Sequence, residues 1–351
     1  MNRDASPGVG AATRISIIVP AYNNSRELVE CLTALIASAD QWSEIIVVDD
    51  ASTDDTPAVA VQMGARVVRL EKNSGPAAAR NYGVHHAIGA ILFFVDADVV
   101  VSPEAVGHVV DVLDKRPDLA AVFGSYDAYP RARGLISQYR NLLHHFVHQQ
   151  GNSEASTFWA GCGAIRRAVF EEVGGFDEQR YVKPSIEDIE LGLRLRQAGY
   201  RILLDKSLQA KHLKKWTLRS VIKTDIACRA IPWSRLILES GKAPDDLNLA
   251  GAQRLSGALV GLAVALLPLT VVRLEVLAIS LGALLSVGVL NRHLYGFFSH
   301  QRGLLFASAC IPLHLLYYLY SGSSYVYVWL DFHLKGAGRD QARPVAGGKR
   351  S

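Results

Sequence analysis

Asp96 and Asp98 stand one residue apart directly after Ile91-Leu-Phe-Phe-Val95. Five apolar residues rich in β-branched and aromatic types suit a buried strand, so the two carboxylates are expected at its carboxyl end. In an open α/β sheet that is where ligands bind. Paired carboxylates there suit a hard divalent cation, Mg²⁺ or Mn²⁺, that would in turn hold a diphosphate. A solvated loop after a core strand would also contain an Asp-x-Asp by chance. Two further acidic pairs, Asp49-Asp50 and Glu187-Asp188, make chance a poorer explanation. Ser185-Ile-Glu-Asp188 fits a capping box, in which Asp188 would only start a helix.

The elements that must position these acids follow from the hydrophobic pattern. Strands are expected at 15–19 (stopped by Pro20), 44–48, 66–70, 91–95, 119–124, 157–160 and 200–204. Helices are expected after Asn24 or Ser25, from Thr56 to Gly64, from Gly75-Pro76 to Gly89, after Ser102-Pro103, at 135–149, and from Ser185 to Gly199. Alternation of this kind implies a mostly parallel sheet with helices on both faces. Asp50 then ends a strand, where helix capping in the following loop is the alternative to a ligand role. Arg80 falls one turn into the helix that Gly75-Pro76 opens. A permanent planar cation there could hold a nucleotide or diphosphate, or pair with an acid on the sheet.

The chain has 351 residues, half of them hydrophobic, and a formal net charge of +4, so charge gives no indication of nucleic acid. Cys31, Cys162, Cys228 and Cys310 lie far apart with no Cys-x-x-Cys pair, which fits a reducing compartment and no zinc site. Residues 1–13 read as a mobile tail, and Arg3 and Arg14 enclose no apolar core of a signal peptide. Between Lys206 and Lys242 nine basic side chains face only Asp225 and Glu239. Leu218, Val221, Ile222 and Ile226 share a helical face, and a basic amphipathic helix of this kind reads as a membrane-surface element. Segments 255–272 and 274–290 approach the ~20 apolar residues that span a bilayer; a third, 303–330, looks interrupted at Ser321-Gly-Ser-Ser324. Arg292, His293 and Arg302 read as cytoplasmic, which keeps residues 14–215 cytoplasmic too, whereas three spans would put the basic tail at 333–351 outside against the same rule.

Val19-Pro-Ala-Tyr-Asn23, Val48-Asp-Asp-Ala-Ser-Thr-Asp-Asp-Thr56, Asn73-Ser-Gly-Pro-Ala-Ala-Ala-Arg-Asn81 and Asp96-Ala-Asp98 occur in that order. With Gly161-Cys-Gly-Ala-Ile-Arg-Arg167, Gly174-Gly-Phe-Asp177 and Glu187-Asp188, they resemble family 2 inverting glycosyltransferases of the GT-A fold. The resemblance covers roughly residues 14–215. It implies an α/β, Rossmann-like GT-A domain at 14–215, to which the apolar and basic pattern adds interfacial helices at 216–250 and a membrane region at 251–332. It also implies a nucleotide-sugar donor, UDP before GDP, and Mg²⁺ or Mn²⁺. Asp50 would accept a nucleobase N–H with Asp49 supporting its loop, and Pro20, Ala21, Tyr22 and Asn23 would wall the base and ribose. Arg80, Asp96 and Ala97 would complete the donor site; Asp98 and Asp96 would take the metal, with His212 in Ala210-Lys-His-Leu near it. Trp159, Gly161, Cys162 and Gly163 would frame the sugar and acceptor. Gly161-x-Gly163 is no dinucleotide loop, because Arg166 occupies the third glycine position.

Asp188, with Glu187, would supply the general base that an acceptor hydroxyl needs and an acceptor phosphate does not. The processive members' Gln-x-x-Arg-Trp has no match, since Gln197-Ala-Gly-Tyr-Arg201 differs from it. The expected reaction is therefore transfer of one sugar to a hydroxyl on a lipid or lipid-linked glycan at the cytoplasmic membrane face. A polyprenyl-phosphate glycosyltransferase and a non-catalytic nucleotide-sugar-binding membrane protein are the alternatives.

Overall fold

The structure is a computed structural model; it describes residues 15–38, 44–241, 247 and 250–340, without the side chains of 335–340. The tail expected at 1–13 and residues 341–351 lie outside the described residues. The chain divides into two compact units between Trp216 and Thr217.

The first unit alternates β1 (Ile15–Ala21), α1 (Ser25–Ile36), β2 (Glu44–Asp49), α2 (Thr56–Gln62), β3 (Arg66–Arg69), α3 (Pro76–His86) and β4 (Ile91–Val95). It continues through β5 (Val99–Val101), α4 (Ala105–Lys115), β6 (Leu119–Tyr126), α5 (Leu135–Gln150), β7 (Cys162–Arg166), α6 (Arg167–Glu172), α7 (Glu187–Gln197) and β8 (Arg201–His212). One sheet has the order β3-β2-β1-β4-β7-β6-β8-β5. The β1–β4 half is parallel, whereas β7 runs antiparallel to β4 and β6, and β5 antiparallel to β8. Every residue of β4 is buried, as its unbroken apolar run requires.

Four expectations need correction. Pro20 does not stop β1; it pairs with Val48 inside the strand. The β4 ladder ends at Ile18, so beyond it β1 is paired on one side and a residue without an N–H is tolerated. The strand expected at 157–160 is irregular backbone, and the strand lies at Cys162–Arg166 instead. The reason is Gly192 of α7, where an added Cβ would stand 2.3 Å from the Phe158 nitrogen: the 157–158 backbone lies on that helix, not in the sheet. The helix expected to start at Ser185 has Ile186 at its N-cap instead, with no side-chain cap bond from that residue. Helix α7 begins at Glu187, and the Glu187 carboxylate accepts the Ser185 N–H at 2.9 Å.

The second unit comprises α8 (Leu218–Thr224), a π turn (Asp225–Ala230), α9 (Ile231–Ser240), α10 (Gly251–Leu266), a 3₁₀ turn (Leu267–Val271), α11 (Glu275–Leu290), α12 (Arg292–Arg302) and α13 (Leu304–Asp340). Gly251–Val271 and Leu304–Leu334 are long and apolar enough to cross a membrane; α11 and α12, bent by 63°, make a third candidate if they form one span. The fourth correction is that Ser321–Ser324 does not interrupt α13. Ser324 returns its hydroxyl to the Tyr320 carbonyl at 2.7 Å, so its polar group is satisfied within the helix. The helix runs on to Asp340, into the stretch expected as a tail.

Candidate functional site

The carboxyl ends of β1, β2 and β4 carry the first acids. Asp50 is buried and clasps the segment before α3, accepting from the Ser74 N–H at 2.7 Å, the Gly75 N–H at 2.9 Å and the Asn73 amide at 3.1 Å. Burial raises its pKa, and the two N–H donors oppose that shift. Gly75 has φ +88°, and a Cβ there would stand 2.4 Å from the Val182 carbonyl oxygen, so the clasp depends on glycine. Asp49 accepts the Ser52 N–H at 3.1 Å and pairs with Arg69 at 3.2 Å, holding its own loop. Asn23, with φ 51°, ties the β1 exit to that loop through the Thr53 N–H and the Ser52 hydroxyl. Tyr22 is exposed. The Ala21 and Ala97 methyls pack into the hydrophobic core, so neither side chain faces a ligand.

Arg80 joins acids that lie far apart in sequence. Its guanidinium is buried, donates to Asp96 Oδ1 at 2.7 Å and to Glu187 Oε1 at 2.8 Å, and lies over the Phe176 ring. Expected on the donor phosphates, it is paired instead with two carboxylates, because burying a guanidinium requires compensating charge. Burial raises the Asp96 carboxyl, with Arg80 opposing. Glu187, expected as a catalytic partner, is buried with one oxygen on Arg80 and the other on the Ser185 N–H. That geometry belongs to a residue that positions the start of α7.

Asp188 differs from its neighbour. It is only part-buried and accepts the Ala160 N–H at 3.2 Å and the Ile189 N–H at 2.8 Å. Burial, reinforced by the Glu187 charge, pushes its carboxyl up to about 7 against the pull of Arg80 and the two N–H groups. A carboxylate with that affinity can take a proton near neutral pH. The next residue, Gly161, accepts the Asp96 N–H at 3.2 Å, so Asp96 and Asp188 are anchored on consecutive residues of one segment.

Asp98 precedes β5, an element without a sequence signal of its own, and β5 pairs with β8 so that Val99 faces His212. This brings the His212 Nε2 to 3.7 Å from Asp98 Oδ2. Burial would raise Asp98, but His212 and Lys214 hold it below the usual carboxylate range, leaving it anionic. Among the described residues no three His, Cys, Asp or Glu side chains gather to hold a metal by themselves. An anionic oxygen ligand beside one imidazole fits a hard divalent cation that takes its remaining ligands from a diphosphate and water.

The expected sugar loop is packed more tightly than its sequence implied. The Cys162 side chain lies in the core, opposite Val95 across the sheet, and burial pushes the thiol up to about 12. Gly163 leaves no room beside Trp159 and Phe158, and Gly161 lies under the Trp159 indole. Cys162 and Gly163 therefore belong to the sheet and not to a pocket. Trp159 is half-buried and meets Tyr126 edge-on at 4.9 Å between ring centres. Sequence reasoning missed Tyr126, whose hydroxyl is raised by burial and by the charges of Asp98, Asp96 and Asp188. It also missed Asn81, which holds Phe176 through both backbone groups, although Asn81 closes a motif it had quoted.

Residues 16–174 match the model of glycosyl transferase family 2. Glycosyltransferase GlyG of Streptococcus pneumoniae is 34% identical over 34% of this chain and 41% of its own length. The succinoglycan biosynthesis protein ExoO of Rhizobium meliloti is 30% identical over 31% and 32%. The chain thus matches less than half the length of either relative. Among solved structures, the mannosyltransferase PcManGT from Pyrobaculum calidifontis, in complex with GDP-Man and Mn²⁺, superimposes with a TM-score of 0.59 and 19% identity, covering 92% of this chain and 90% of that one. Residues 16–174 are thus similar to glycosyl transferase family 2, and the chain shares the GT-A fold of its structural neighbour.

Proposed function

We propose that the protein is a non-processive, inverting glycosyltransferase that moves one sugar from a nucleotide-sugar donor to a hydroxyl on a lipid or lipid-linked glycan at the cytoplasmic face of a membrane. The observation that carries this reading is Asp188: part-exposed, fixed by two N–H groups, pushed up to about 7, and anchored beside the residue that holds Asp96. Asp188 takes the proton of the acceptor hydroxyl as the oxygen attacks the anomeric carbon from the face opposite the leaving nucleotide, so the configuration inverts. Asp98, Asp96 and His212 are the residues that would hold Mg²⁺ or Mn²⁺. When bound, the cation stabilises charge on the departing diphosphate. Asp50 and the 73–75 segment border the nucleoside side, and Arg80 keeps Asp96 and α7 in register. The apolar helices of the second unit and the basic stretch 206–242 support a membrane-bound acceptor.

UDP is the first donor base to test, and GDP stands beside it because PcManGT carries GDP-Man. The test is a thermal-shift screen of nucleotide sugars in detergent, with and without Mn²⁺, on wild type and Asp98→Ala. A shift for one nucleotide class that needs Mn²⁺ and vanishes in Asp98→Ala supports the reading. No shift with any nucleotide sugar contradicts it.

A further inference from the structure

The His212 imidazole lies flat against Tyr126, with ring centres 4.2 Å apart and planes 12° from parallel, while its Nε2 points at Asp98. Tyr126 is itself gripped from three sides. The Trp159 indole meets it edge-on, the His144 ring lies 4.4 Å away, and its carbonyl oxygen contacts His145 Nδ1 at 2.7 Å. Its strand position is fixed by pairing with Ala210, two residues before His212 on β8. A histidine beside a ligand site usually has its ring orientation set by a neighbouring group. Here the neighbour is a ring plane, which restricts rotation of the imidazole out of the orientation that faces Asp98.

We propose that Tyr126 is a positioning residue for the cation site, acting through its ring and not its hydroxyl to hold His212 against Asp98. The inference rests on the reading that Asp98 and His212 take a divalent cation together with a nucleoside diphosphate. It assigns the dependence of that site to a residue on a different strand that acts through His212. Removing a group that orients a ligand typically costs 10–100-fold in metal affinity.

The experiment measures Mn²⁺ binding to the full chain in detergent by the electron paramagnetic resonance signal of free Mn²⁺, in the presence of UDP and, separately, GDP. Tyr126→Phe should bind within about twofold of wild type. Tyr126→Leu should weaken binding about tenfold or more, and should add nothing further in a His212→Ala background. Should Tyr126→Leu fail to fold, Tyr126→Met, which fills the volume without a plane, carries the same expectation. Unchanged affinity in the leucine or methionine variant overturns the inference, as does a phenylalanine variant that weakens as much as leucine, or losses that multiply with His212→Ala. A wild type that takes up no Mn²⁺ overturns the cation site and the inference together, whereas a binding wild type with an equally binding leucine variant overturns the inference alone.

Discussion

Replacing Arg80 with methionine tests whether the guanidinium is a structural keystone. The side chain is 5% exposed and its partners lie at 2.7 and 2.8 Å, with Glu187 only 6% and Asp96 33% exposed. At an effective dielectric near 20, each charge pair at about 4 Å between centres is worth about 4 kcal/mol before desolvation. Much of that gain is offset by taking the charges out of water. What remains decisive is that methionine strands carboxylates already buried, and breaking a buried pair in this way costs about 3–5 kcal/mol. For a unit of this size that lowers the unfolding temperature by roughly 10 °C. The loss also has a pH signature. Asp96, already raised by burial, moves further up once Arg80 is gone. A raised folded-state pKa makes the folded variant bind protons more tightly than the unfolded chain, so the deficit is largest at neutral pH and shrinks as pH falls. Adding Glu187→Gln removes one stranded charge and should recover part of the loss. The assay is thermal unfolding by tryptophan fluorescence in detergent at pH 5.5 and 8 (both about). A cost below about 1 kcal/mol, or no recovery with Glu187→Gln, would refute the keystone role.

Other outcomes follow from the same geometry. Transfer should rise with pH through about 7 as Asp188 loses its proton, and a turnover profile flat from about 5.5 to 8.5 would count against it. Gly192→Ala places a methyl 2.3 Å from the Phe158 nitrogen; it should cost about 1–3 kcal/mol and lower turnover, since the segment it displaces carries Ala160. Denaturant titration and initial rates check both effects. Asn81→Ala removes bonds to both backbone groups of Phe176 and should destabilise by about 1–3 kcal/mol, read from the denaturant midpoint.

Much of the first unit was legible because its signals are local. The apolar runs at 15–19, 44–48 and 91–95 each fall within an observed strand, and Gly75-Pro76 marks the start of α3 as glycine and proline should. What was hidden depends on pairing at a distance. Val99–Val101 is too short to announce itself and exists because β8 extends to His212 to meet it. Cys162–Arg166 reads as a loop through its glycine, yet β4 on one side and β6 on the other make it a central strand. Glu187, one of the two partners of Arg80, lies 107 residues away, beyond any spacing rule. Of the Glu187-Asp188 pair, the sequence shows two equal carboxylates; only burial separates the one locked on Arg80 from the one open to a proton.

The most direct measurement compares Asp188→Asn with wild type for both donor binding and sugar transfer. Asparagine keeps the shape and one carbonyl oxygen, an acceptor for one of the two N–H groups that Asp188 holds through separate oxygens, but cannot take a proton. With Asp188 as the base for a hydroxyl acceptor, Mn²⁺-dependent donor binding stays near wild type while transfer falls about 10²–10⁴-fold. Transfer that survives the substitution within a few-fold would contradict the base and point to an acceptor that is already ionised.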